Sequence, residues 1–123
     1  MPDRKKVITQ EWLYRRGFST PEKRYMNPDG TATSRVFKLR AKDNGELSVD
    51  VKSMITPEKA VGDPTRYFLF ELANEDVEKL ELQSYHDSLP DGSNDAHAVI
   101  IGMTIDDEIK PGLLARKSKR VYL

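Results

Sequence analysis

The clearest pattern in the chain is a strict alternation over Glu46–Lys52, where Leu47, Val49 and Val51 fall on one side and Glu46, Ser48, Asp50 and Lys52 on the other. A period of two predicts a strand with one face in a core. Ser34–Arg40 alternates less cleanly, with Phe37 and Leu39 predicted inward. Between these segments, Lys42-Asp43-Asn44-Gly45 is predicted to make a hairpin turn, because Asn-Gly supplies the positive φ that a tight turn needs. Two continuous apolar runs, Tyr67–Phe70 within Arg66–Leu72 and Ala98–Ile101 within Ala96–Met103, predict buried strands. Leu80–Ser84 is a further, shorter strand.

Helix signals lie between these runs. Thr9 can cap a helix over Gln10–Arg16 that Gly17 would end, with a strand over Trp12–Tyr14 as the alternative. Thr56-Pro57-Glu58 has the cap, first-turn proline and acid of a helix start, with Gly62 as its end. Asn74 is predicted to cap Glu75–Lys79. Thr104 and Asp107 open a last helix that Pro111-Gly112 interrupts, with a restart over Leu113–Arg120. Residues 19–34 are rich in turn residues, notably Asn27-Pro28-Asp29-Gly30. The predicted fold is α+β: a mostly antiparallel sheet of about five strands with short helices packed on it. One domain is expected over 1–123, with 1–8 a flexible basic arm and 117–123 a basic tail docked by Val121-Tyr122-Leu123.

Composition narrows the chemistry. There is no cysteine, so disulfides, thiolate-bound metals and thiol nucleophiles are excluded. No apolar run approaches the roughly 18 residues of a membrane span, and no apolar stretch follows the basic Met1–Thr9, so no membrane association and a cytoplasmic location are expected. The formal net charge of zero conceals an asymmetry: residues 1–40 carry ten basic and four acidic residues, 41–110 six and sixteen, and 111–123 four and none. The basic ends can fold back on the acidic middle, form a patch for nucleic acid, or pair with a partner.

Four groups of residues bear candidate chemistry. His86, Asp87, Asp91, Asp95 and His97 mix imidazoles and carboxylates, but at no recognised metal-ligand spacing, so no metal and no other cofactor is expected. Ser48 and Asp50 share an outward strand face and His97 opens an apolar strand, which makes Ser48 and His97 candidates for nucleophile and acid/base roles. No Gly-x-Ser-x-Gly elbow surrounds Ser48, however. Arg15, Arg16, Arg35 and Arg40 are candidate phosphate holders, and Arg15 and Arg35 are foremost among them. The Tyr/Phe-rich strands offer edges on which another chain could add.

The succession Leu13-Tyr14-Arg15, Ser34-Arg35-Val36-Phe37, Lys42-Asp43, Leu47-Ser48-Val49-Asp50, Met54, Thr56-Pro57-Glu58 and Ala96-His97-Ala98-Val99-Ile100 resembles a group of small bacterial proteins with no established activity. The resemblance spans residues 12–102 and implies an accessory single-domain protein. Leu-Tyr-Arg followed by Leu-Ser-Val also resembles the ADP-ribosyltransferase layout. That likeness implies Arg15 and Ser48 at a nucleotide, with only Glu78 and Glu81 in order for an acidic catalytic residue. The function expected first is a small non-catalytic module that binds a protein partner or its own copy. An enzyme acting on a nucleotide or phosphorylated ligand is the alternative, and nucleic-acid binding through the basic ends is the third reading.

Overall fold

The structure, a computed structural model, describes residues 4–88 and 92–123. Its strands are β1 (Trp12–Phe18), β2 (Glu46–Val51), β3 (Tyr67–Ala73), β4 (Gln83–His86), β5 (His97–Ile101) and β6 (Lys119–Val121). They form one antiparallel sheet in the order β4-β5-β2-β1-β3-β6. Among the described residues three short helices, α1 (Pro57–Val61), α2 (Asn74–Glu78) and α3 (Lys110–Lys117), complete an α+β fold with six strands where about five were expected.

The two faces of the sheet are covered unequally. On the first face Leu13, Leu47, Val49, Val51, Phe70 and Leu72 pack with α2, α3 and the 3-10 turn Ser34–Phe37, which contribute Val77, Leu114, Val36 and Phe37 to one core. On the second face α1 lays Ala60 and Val61 over Tyr14 and Leu69 and leaves the β2–β5 side open to the cleft described below. Val99, also on this face, is buried. Arg4 crosses there, bonded to Glu46 at one end (3.0 Å) and reaching Asp87 at the other (3.4 Å).

Several expectations need correction. Gln10–Arg16 is not a helix: β1 runs through it and pairs along all seven residues with β3. Both faces of β1 are covered, so Leu13 and Tyr14 are adjacent and both buried, and the alternation that marks a half-buried strand is lost. Gly17 belongs to this strand, where the Tyr25 Cβ lies only 3.0 Å from the place a Gly17 Cβ would take. Ser34–Arg40 holds no strand, because the backbone winds into a 3-10 turn that buries Val36 and Phe37 side by side. Asn44 and Gly45 do take positive φ (53° and 78°), but they follow the 3-10 turn Ala41–Asp43 and lead into β2, which pairs with β1 and β5. The strand expected over Leu80–Ser84 starts later, at Gln83, after Glu81 turns the chain at φ 62°.

The ends of the described chain are both tied to the sheet. Val7 N–H donates to the Ser84 carbonyl (2.9 Å) and His86 N–H to the Lys5 carbonyl (2.8 Å), so residues 5–7 lie along the free edge of β4. Asn74 is not the N-cap of α2, a position held by Ala73; its side chain is fully buried and holds this corner together. Its Nδ2 donates to the Val7 and Ile8 carbonyls (both 3.1 Å), and its Oδ1 accepts from Ser84 Oγ (2.7 Å). The tail pairs with β3 as β6, where Arg120 lies between the Phe68 and Tyr122 rings at 4.5 Å from each. Among the described residues, no helix is long and apolar enough to cross a membrane.

The last helix is one unbroken element. Pro111 sits in its first turn, where a missing N–H costs nothing. Asp107 Oδ1 accepts from the Ile109 and Lys110 amides (2.9 and 3.0 Å), and these bonds hold its carboxyl below the usual range. A carboxylate whose pKa is depressed by folding stabilises the fold above the unfolded value of about 3.9 and loses that contribution as pH falls through the folded value. Asp107→Ala is therefore expected to melt a few degrees below the parent at pH 7, with the gap closing near pH 2. A gap that persists in acid would show that the amide bonds to Asp107 are not its source.

Candidate functional site: a cationic cleft where two strands part

β1 and β2 are paired only at Leu13–Val51 and Tyr14–Asp50, although β1 continues along β3 to Phe18. Beyond Tyr14 the two strands diverge, and the opening is a cleft of about 470 Å³. A strand without a neighbour leaves backbone groups that need partners. Arg15 supplies them: its Nη1 donates to the Ser48 carbonyl of β2 and its Nε to the Val36 carbonyl, both at 2.7 Å. The turn at Ser34–Phe37 thus presents a carbonyl to the guanidinium, which a strand there would have used in a ladder.

The Asp43 carboxylate attracts Arg15 but does not pair with it. Among the described residues no carboxylate lies within ion-pair distance of it, and the cleft also receives Arg16, Arg40 and Lys42. Crowding by protein atoms, reinforced by repulsion from Arg40, pulls the Arg15 pKa down to about 10. The group stays protonated at neutral pH. Its charge nevertheless costs the fold stability at every pH below that value, a cost that an anion held against it would offset. Arg40 is partly engaged by Asp43 at 3.2 Å. Desolvation pushes the Asp43 carboxyl up, but bonds from the Arg40 backbone and side chain outweigh it and leave it below the usual range.

Aromatic rings close one end. Phe18 lies 5.5 Å from Tyr25 and 5.3 Å from Tyr67, and the Arg16 guanidinium stacks 4.4 Å over the Tyr67 ring. On the floor Tyr14 is buried, which raises its hydroxyl pKa. Asp50 and His97, cross-strand partners, stand beside it. Asn94 Nδ2 donates to Asp50 Oδ1 (2.8 Å), while Asn94 Oδ1 accepts from the Ala96 amide (3.0 Å). His97 Nδ1 lies 2.8 Å from the Asp87 carbonyl. A carbonyl only accepts, so Nδ1 carries the proton, and in the neutral ring Nε2 is left as an acceptor.

The cleft thus brings Arg15, Arg16, Arg40, Ser48 and His97 together. Arg35 is not among them: it is exposed on the 3-10 turn, because the strand that would have aimed it does not form. Among the described residues no serine–histidine–aspartate relay is assembled. Ser48 Oγ makes no hydrogen bond to His97, whose Nδ1 faces Asp87 and not Asp50. His86 and His97 lie on opposite faces, since His86 pairs with Ala98 of the core and His97 with Asp50 of the cleft. Asp91 lies outside the described residues. Among those described, no group of three or more His, Asp or Glu is placed to hold a metal. Tyr25, Lys42 and Asn94 also reach the cleft; each lies near a turn or candidate group legible in the sequence, but none was itself a candidate. No known protein family, curated protein or solved structure matches the chain.

Proposed function

We propose that this chain binds a small phosphorylated ligand in the cleft between β1 and β2. The observation that carries the reading is Arg15: a guanidinium crowded by protein, bonded only to backbone carbonyls, with Arg16, Arg40 and Lys42 around it and no ion-paired carboxylate among the described residues. Arginine presents a planar fork of donors suited to phosphoryl oxygens, and a site that has already desolvated the cation gains most from an incoming anion. The reading is one of binding and assigns no reaction.

Partner docking at a sheet edge draws less support. Residues 5–7 occupy the edge of β4, and β6, at the other edge, is three residues long and carries Lys119 and Arg120, which disfavour strand addition. A nucleic-acid patch made of both basic ends also draws less, because Arg116 and Lys117 lie on α3 against the first face while Arg16 opens on the second.

Titration calorimetry with ribose 5-phosphate at low salt tests the proposal. Saturable binding is expected, weakened by added salt. Arg40→Ala/Lys42→Ala, which removes two exposed rim cations, is expected to lower the affinity at least about tenfold, with the melting temperature lowered by no more than a few degrees through loss of the surface Arg40–Asp43 pair. Absence of saturation by about 10 mM, or equal affinity in the double variant, would overturn it.

A further inference from the structure

The cleft does not end at Asp50. A second hollow of about 790 Å³ lies beyond Asn94, which lines both cavities. The second hollow is bounded by Met54, Ile55, Thr56 and Lys59 on one side and by residues 92–95 on the other. The stations follow the chain. Ser48, whose carbonyl holds Arg15, and Asp50, held by Asn94, stand two residues apart on β2, and Met54 and Ile55 follow where the chain leaves that strand. At about 3.3 Å per residue, the first step is roughly 7 Å.

The three stations differ in chemistry. The first is cationic, with Arg15, Arg16, Arg40 and Lys42. The second is an acceptor station, where Asp50 has one carboxylate oxygen engaged by Asn94 and His97 stands beside it as its cross-strand partner. It would repel a phosphate and accept hydrogen bonds from hydroxyls. The third is lined mainly by polar groups, those of Ser53, Thr56, Lys59, Asn94 and Asp95 among them, with Met54, 48% exposed, and the partly buried Ile55 as its apolar contribution. Two apolar side chains to lie against one face of a ring, with polar groups around them to meet its edge, suit a flat heterocycle.

Resting on the phosphoryl-binding reading above, we infer that the ligand is a ribonucleoside 5′-phosphate, with its phosphate at Arg15, its sugar hydroxyls at Asp50 and His97, and its base in the hollow between Met54 and residues 92–95. The order anion, hydroxyls, ring is that of a nucleotide, and the fixed Asn94–Asp50 bond makes the middle station a built one.

Calorimetry separates the two readings. The probes are inorganic phosphate, ribose 5-phosphate, the four ribonucleoside 5′-monophosphates and their 2′-deoxy counterparts. At least one ribonucleotide is expected to bind about tenfold or more tighter than ribose 5-phosphate. Met54→Ala/Lys59→Ala, on exposed positions, is expected to erase that gain and leave ribose 5-phosphate binding unchanged. Asp50→Asn is expected to reduce the preference for ribose over deoxyribose, with melting curves confirming that the variant is folded. Ribose 5-phosphate binding as tightly as every nucleotide, or a nucleotide gain that survives in the double variant, overturns the inference and leaves the phosphoryl reading standing. Failure of every phosphorylated probe overturns both.

Discussion

Replacing Arg15 with methionine is expected to weaken ribose 5-phosphate binding roughly thirtyfold, equivalent to losing one charge-assisted hydrogen bond of about 2 kcal/mol. The fold should survive. Methionine leaves the Val36 and Ser48 carbonyls without their donor, but it also removes a cation that the fold holds at a cost, so the two effects oppose each other. Arg15→Lys should fall between parent and methionine variant. Lysine keeps the charge, but its single ammonium cannot span two carbonyls and also face a ligand. Calorimetry beside thermal melting checks this. Unchanged binding in a folded Arg15→Met protein would show that Arg15 is only a strut between the parted strands.

Asn74→Ala is expected to produce the largest loss of stability, about 3 kcal/mol, because it strands Ser84 Oγ and the Val7 carbonyl in a buried corner, while the Ile8 carbonyl keeps its bond from the Glu11 amide. For a domain of this size that is a fall in melting temperature of roughly 10 °C. Three chain segments meet at Asn74, so the substitution should also free residues 5–8 from the β4 edge. Hydrogen exchange at the Val7 and His86 amides, both bonded across that edge, would report it. In a double-mutant cycle, adding Ser84→Ala should cost less than Ser84→Ala does alone, because its partner is already missing. A melting temperature within one or two degrees of the parent would contradict this account of the corner.

What the sequence made legible follows from how each segment meets water. β2 keeps polar residues on the cleft face and apolar ones in the core, so its period of two survives in the sequence. The α1 start was legible because its signals are local: Thr56 Oγ1 accepts from the Lys59 amide and Pro57 stands in the first turn. β1 was obscured because it is covered on both sides, and because Gly17, a common helix terminator, is there to admit Tyr25. Asn74 looks like a cap because asparagine usually serves its own backbone; here it serves Val7 and Ile8, far away in sequence, and Ser84, ten residues on. The same limit applies to the cleft. Arg15, Ser48 and His97 could be singled out one by one, but their meeting depends on two strands that pair for two residues and then part, and no local pattern records where a ladder stops.

The most direct measurement of the central claim is an NMR titration that follows backbone amides and arginine Nε–Hε signals as ribose 5-phosphate is added. The account predicts saturable shifts at Arg15 Nε, Arg16, Arg40 and the Ser48 amide, with α3 and β6 unmoved. Saturation that leaves the Arg15 and Arg40 signals in place, or no saturable shift in the cleft by about 10 mM, would contradict it.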